Sequence, residues 1–186
     1  RPGFVHCPKP QTSPAIENVL ICMGGDAASQ GIQVAEVLAQ LKPDWRLRIM
    51  VGSMAESDSA DLPDSVEIYH DVTRPWEVMK PVDLAIAAGG MTTFELLHLG
   101  IPTLLFPLNE VQLAAATAFH DAKTAINLGR WDGTGLQARQ KLAWVVSSVD
   151  FERRRSLADE GRSLVDGLGL QRVAKVIQDQ LVALEK

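Results

Sequence analysis

Apolar residues along this chain form short solid runs closed by glycine or proline, and between the runs they fall at helical spacing. The clearest case is Asp83 to Gln112, around which the other segments are arranged. Leu84 to Ala87 is an apolar run of buried-strand length, and Gly89-Gly90 breaks it. Thr92 and Thr93 are helix-capping types, and Phe94, Leu96 and Leu97 give the helix its apolar contacts. Gly100 ends that helix and Pro102 forbids its continuation. Thr103 to Phe106 reads as a second buried strand, closed by Pro107. Two apolar strands joined by a short helix make a βαβ unit with parallel strands.

The same alternation recurs on both sides. Asn18 to Met23 is a strand ending in Gly24-Gly25-Asp26, and Val34, Val37, Leu38 and Leu41 mark the helix after it, with Pro43 past its end. Leu47 to Val51 is a strand stopped by Gly52-Ser53. A polar connection from Glu56 to Ser65 leads to a short strand, Val66 to Tyr69, and Pro75 sits at a first helical position before Trp76 and Met79. Gln112 to Ala122 is an alanine-rich helix, and Thr124 to Asn127 a last short strand ended by Gly129. Three helices follow: Leu136 to Ser147, Phe151 to Val165 and Gln171 to Leu184. Alternating strands and helices predict an α/β fold with one doubly wound parallel sheet, Rossmann-like, followed by carboxyl-terminal helices. Residues 1–16, with prolines at 2, 8, 10 and 14 and no periodicity, are expected to form a linker or extended arm, and residues 17–186 the domain.

Composition narrows the function classes. A length of 186 residues suits one domain. A formal net charge of −5, with no basic run, argues against a nucleic-acid surface. No stretch approaches the ~18 apolar residues of a membrane span. Cys7 and Cys22 do not make a disulfide framework, and Cys22, inside an apolar strand, is expected to be a reduced core residue. The chain opens on Arg with no signal-peptide pattern, and the expectation is a cytoplasmic piece of a longer protein.

Ligands of such sheets sit beyond the carboxyl ends of the strands. Gly89, Gly90, Met91 and Thr92 lie at that edge, where first-turn amides carry the positive end of the helix dipole and glycines let an anion approach the backbone. Glu95, one turn later, would repel a phosphate but suits a ribose diol. The alternative is a Gly-Gly turn followed by a solvent-facing Glu. Gly24-Gly25 is a second strand-to-helix turn, and the two turns can face each other where strand order reverses. GGDAASQG is neither a dinucleotide fingerprint nor a P-loop, and no acidic residue ends the second strand, so a nicotinamide dinucleotide is disfavoured. Asp26 is unfavourable beside a phosphate and suits a helix cap instead. The histidines at 6, 70, 98 and 120 have no metal-ligand spacing, and no metal or other cofactor is expected. His70 falls near the proposed cleft, where a surface or capping role competes with catalysis. Asn109 and Gln112 follow the second central strand, placed to hydrogen-bond a sugar or, for Asn109, to cap a helix. No catalytic constellation is assignable.

At these residues the chain resembles a known group. LAIAAGGMTTFELLHLGIPTLLFPL, with the following Gln and AINLG, and VLICMGGD before them, resemble the carboxyl-terminal half of GT-B fold nucleotide-sugar enzymes. The nearest forms are the UDP-sugar hydrolase of pseudaminic-acid synthesis and related polysaccharide-biosynthesis glycosyltransferases; the peptidoglycan N-acetylglucosaminyltransferase is more distant. The resemblance is clear over about residues 1 to 130 and looser beyond. It implies that Glu95 holds the ribose hydroxyls, that Met91 and Thr92 meet the diphosphate with Gly89 and Gly90 allowing close approach, and that the Val72 backbone reads the uracil edge. It further implies that Gly24 and Gly25 face the phosphates and that Gln112 contacts the sugar. Asp26 departs from the family's Ser or Thr, and Asn109-Glu110-Val111-Gln112 is shifted from its Glu-Asn-Gln pattern. The family enzyme has a second, amino-terminal domain that carries the hydrolase's catalytic histidine, and Arg1 to Phe4 look like the interdomain linker. The expected function is therefore UDP-sugar binding within a glycosyltransferase or hydrolase, the UDP-sugar being substrate and the chain inactive without that domain. The competing class is a non-catalytic Rossmann-like binding or interaction module.

Overall fold

Six strands form one all-parallel sheet in the computed structural model, which describes residues 2–25, 27–52, 62–133 and 135–184. Asp26, Ser53 and most of the polar connection begun at Glu56 lie outside the described residues. The strands are β1 (Asn18–Cys22), β2 (Arg46–Val51), β3 (Val66–His70), β4 (Leu84–Ala87), β5 (Thr103–Leu105) and β6 (Ile126–Asn127). Their spatial order is β3-β2-β1-β4-β5-β6, so the direction of winding reverses between β1 and β4. Val19 pairs with Leu84 and Cys22 with Ala87, which sets the ends of these two strands side by side.

Strand side chains alternate between two cores because successive residues point to opposite faces. Val19, Ile21, Leu47, Ile49, Leu84, Ile86 and Leu104 pack under α2 (Ala28–Leu41) and α6 (Leu136–Ser148). Leu20, Ala85, Ala87 and Leu105 pack under α3 (Pro75–Met79), α4 (Met91–Leu99) and α5 (Glu110–Asp121). A strand covered on both faces needs apolar residues at every position, which is why β1, β4 and β5 read as solid runs, whereas β2 alternates. Each fully buried Leu or Ile contributes about 1.5–3 kcal/mol of transfer free energy. Phe106 meets Trp131 edge to face, with centroids 5.1 Å apart.

Gly100 closes α4 in the left-handed region at φ 71°, with its N–H donating to Leu96 and Leu97 carbonyls, as its place before Pro102 predicts. The start of α4 differs from expectation. Gly90 is the N-cap, no side chain caps the helix, and Thr93 is a buried third residue rather than a cap. Phe94 is only partly engaged: it is 43% exposed and meets Phe119 edge to face at 5.1 Å.

The proline-rich amino-terminal segment is folded onto the domain. Residues Pro2–Val5 form a short helix, α1, whose Phe4 is buried and sits edge to face with Trp76 at 5.5 Å. Buried His98 of α4 places Nε2 3.2 Å from the Phe4 carbonyl and Nδ1 2.9 Å from that of Val165. From α7 (Phe151–Leu164), Arg154 donates to the Ser13 and Pro14 carbonyls at 2.7 and 2.8 Å, and Arg162 donates to Pro10 at 2.5 Å. Burial lowers the Arg154 guanidinium pKa, while Asp83 and Asp150 act in the opposite sense. The last helix, α8 (Gly169–Leu184), leaves Leu170, Val173, Ile177 and Leu181 exposed.

Candidate nucleotide site

The two strands that border the reversal point, and β2 beside them, lead into glycine, which suits close backbone approach. After β1 come Gly24, with φ 126°, and Gly25; after β2 comes Gly52; after β4 come Gly89, with φ 89°, and Gly90. These turns are tied together. The Gly52 N–H donates to the Gly25 carbonyl at 3.1 Å, and the Ala88 N–H to the Cys22 carbonyl at 3.3 Å. A Cβ at Gly52 would lie 2.7 Å from the Gly25 oxygen, so that position has no room for a side chain. A Cβ at Gly89 would lie 3.1 Å from the Gln112 carbonyl, which places that turn against the start of α5.

A cavity of about 230 Å³ opens among these ends, and Gly24, Gly25, Val72 and Thr92 all line it. Gly90 and Met91 precede Thr92 and Glu95 follows it on α4 without lining the cavity, and neither Gly89 nor Gln112 lines it. Met91 is 79% exposed. The Thr93 N–H donates back to Gly90, whereas the Met91 and Thr92 amides meet no acceptor among the described residues. Two such first-turn amides beside a glycine-walled cavity give a positive rim.

Glu95 is half-buried, and its charge reaches the cavity floor. The Cys22 thiol there is pushed up to about 12, first by burial and then by Glu95, with a backbone hydrogen bond to Met50 opposing. Gln112 is engaged through its side-chain oxygen, which accepts from the Leu108 N–H at 2.8 Å, while Asn109 caps α5 by accepting from the Gln112 N–H at 2.9 Å. This reciprocal cap uses the oxygen locally.

Sequence reasoning missed Gly52, Asp71, Pro75 and Cys22 as parts of the cavity wall. Gly52 had a signal, as a glycine closing a strand beside the reversal point. Asp71 stands at φ 44°, a left-handed backbone held by its N–H donating to the Val51 carbonyl at 3.2 Å, and no local pattern announces it. A larger cavity, about 680 Å³, opens between α1, Phe94 and the α7–α8 junction, away from the strand-end glycines. Among the described residues, no group of three His, Cys, Asp or Glu side chains is placed to hold a metal ion, and no helix is long and apolar enough to cross a membrane.

No protein-family model matches the chain. The spore coat polysaccharide biosynthesis protein SpsG of Bacillus subtilis is 29% identical over 172 residues, covering 87% of this chain and 50% of that protein. The UDP-N-acetylglucosamine–N-acetylmuramyl-(pentapeptide) pyrophosphoryl-undecaprenol N-acetylglucosamine transferase of Histophilus somni is 27% identical, covering 96% of this chain and 54% of the relative. The chain thus spans about half the length of these curated relatives. Among solved structures, MurG of Acinetobacter baumannii superposes with a TM-score of 0.68 at 18% identity, over 95% of this chain and 55% of that one. The spinosyn rhamnosyltransferase SpnG complexed with thymidine diphosphate gives 0.58 at 24% identity, over 89% of this chain and 47% of that one. With a 3-2-1-4-5-6 parallel sheet and relatives that it matches over half their length, the chain has the fold of the carboxyl-terminal half-domain of GT-B glycosyltransferases, and it resembles that half in sequence.

Proposed function

We propose that this domain binds the nucleotide of an activated sugar, with UDP as the preferred nucleotide, and serves as the donor half of a glycosyltransferase or UDP-sugar hydrolase. The observation that carries the proposal is the start of α4, with two amides that meet no acceptor among the described residues, beside a cavity walled by glycines of neighbouring strands. In this reading the diphosphate lies against Met91 and Thr92, with Gly24, Gly25, Gly89 and Gly90 giving it room. The ribose hydroxyls donate to Glu95. The pyrimidine enters the cavity under Val72, whose backbone reads its edge. Gln112 is the proposed sugar contact, through its amide nitrogen, because its oxygen is engaged by Leu108.

The chemistry asked of such a site is stabilisation of the departing nucleoside diphosphate. Fixed amides aimed at the phosphates supply it without reorganisation, since they already point outward when the bond between sugar and phosphate breaks. The attacking group, water in a hydrolase or a sugar hydroxyl in a transferase, belongs on the opposite side of the donor. We assign it to a separate amino-terminal domain, with residues 1–16 leading into residues 17–186 and the cytoplasm as the location. The Histophilus relative, a UDP-N-acetylglucosamine enzyme by name, supports uridine. The thymidine diphosphate complex supports a pyrimidine more generally.

Calorimetry with UDP, TDP, UMP and ADP tests the proposal. UDP is expected to bind more tightly than UMP, because the diphosphate carries the contacts to α4, and more tightly than ADP. Equal binding of UDP and ADP would remove the base recognition assigned to Val72, and no binding of any of the four would remove the site. The isolated chain is expected to turn over no UDP-sugar.

A further inference from the structure

The outer face of α6 carries a group of side chains that the fold does not employ. Trp144 is 55% exposed, whereas Trp45 and Trp131 are buried in the core and Trp76 packs on Phe4. Gln137, Gln140 and Lys141 join Trp144 in lining a shallow cavity of about 290 Å³. Among the described residues, none of these three polar side chains makes a hydrogen bond or ion pair. The opposite face of the helix, Ala138, Leu142 and Val145, is buried against the sheet, so the platform is rigid. Spacings of three and four put positions 137, 140, 141 and 144 on one face, and 137 to 144 spans about 10 Å at 1.5 Å per residue.

An indole face ringed by amide and ammonium donors has the chemistry of a sugar-binding surface. The C–H face of a flat pyranose carries partial positive charge and packs on the electron-rich ring. Ring hydroxyls and acetamido carbonyls accept from the glutamine amides and from Lys141, and hydroxyls donate to the glutamine oxygens. A protein partner is less well matched, because interface cores set an aromatic anchor among further apolar side chains. Here Leu136, though 72% exposed, stays outside the lining. We propose that this face of α6 is a glycan-binding site for a β-linked oligosaccharide, about two pyranose residues of which lie along the helix. It is separate from the strand-end cavity.

The test is titration of the 186-residue chain with chitotetraose and cellotetraose, followed by tryptophan fluorescence and by saturation-transfer NMR. Saturable quenching with a blue shift is expected, because Trp144 is the indole that loses solvent. Trp144→Ala is expected to weaken binding at least about tenfold and Trp144→Phe to restore part of it. The pair Gln137→Ala and Gln140→Ala is expected to weaken it several-fold with unchanged circular dichroism. The melting response to UDP is expected to be the same in Trp144→Ala, so this proposal and the nucleotide site fail independently. The glycan site would be overturned by no saturable response to either tetrasaccharide at millimolar concentration, or by an equal response in Trp144→Ala. Sedimentation showing self-association that Trp144→Ala abolishes would also overturn it, by identifying a second copy as the occupant.

Discussion

Replacing Gly25 and, separately, Gly90 with alanine separates a glycine needed by the fold from one needed by a ligand. Among the described residues a Cβ at either position meets nothing within 4 Å, and neither residue has a left-handed backbone; Gly90 stands at φ −87° and ψ −160°. The fold therefore has no use for glycine at these two positions, in contrast to Gly24, Gly52 and Gly89. Alanine at Gly25 removes freedom from the unfolded chain and is expected to stabilise by about 0.4–1 kcal/mol. For a domain of this size that is a rise in Tm of roughly 1–4 °C. At Gly90 the poorer capping by alanine offsets the same gain, and the net change is expected to be near zero. The effect on the nucleotide runs the other way. A methyl group on the open rim holds the phosphate off the backbone, and losing one charge-assisted hydrogen bond costs about 1.5–3 kcal/mol. That is a weakening of UDP binding of roughly 10- to 150-fold. Scanning fluorimetry gives the first quantity and calorimetry with UDP the second. UDP affinity within about twofold of the parent in both variants, with the melting temperatures as expected, would refute the placement of the diphosphate.

Glu95→Ala is expected to weaken UDP binding by roughly 1–3 kcal/mol through lost hydrogen bonds to the ribose, with a smaller loss for 2′-deoxy-UDP, both read by calorimetry. His98→Ala removes the imidazole from the Phe4 and Val165 carbonyls; the Phe4 carbonyl keeps the Cys7 N–H, so one group loses its partner, and at about 1–3 kcal/mol for that loss the urea midpoint is expected to fall at unchanged m. Cys22 makes stability pH-dependent at the alkaline end. Its folded pKa of about 12 lies above the ordinary thiol value of 9.0, so its contribution is complete below about pH 9 and is lost as pH rises toward 12. Cys22→Ala is expected to flatten the fall in stability across that window, and native Cys22 is expected to resist iodoacetamide at pH 8, as peptide mapping will show.

The central βαβ unit was legible because backbone punctuation bounds it on both sides. Gly89-Gly90, Gly100 and Pro102 leave the helix between them little freedom, and the observed Leu84–Ala87 and Met91–Leu99 follow. Gly24, Gly25, Val72 and Thr92 converge on one cavity because each follows a strand at the same sheet edge. What escaped the sequence depends on distant residues. The helical turn at Pro2–Val5 is too short to announce itself and is held by Trp76 and His98, which lie more than seventy residues on. The threonines that looked like caps lost that role to Gly90, because Thr93 is needed in the packed interior. The spacing of Gln112 places it at the edge, but spacing does not reveal that its oxygen turns to the Leu108 amide, so that the amide nitrogen is the end left for a sugar.

The guanidinium clips of Arg154 and Arg162 bear on the order of events as the polypeptide leaves the ribosome. Their carbonyl partners at Pro10, Ser13 and Pro14 emerge first, and the arginines come about 150 positions later. At 5–20 residues per second that interval is roughly 7–30 s. During it this segment has Trp76, His98 and the core around Met79 and Leu97 to seat against once those are made, but not the arginine clips, and it is expected to stay more open to proteases until α7 is complete. Shortening the polypeptide to its first 150 residues would keep all six strands and the glycine-walled cavity, yet make that unguarded interval permanent.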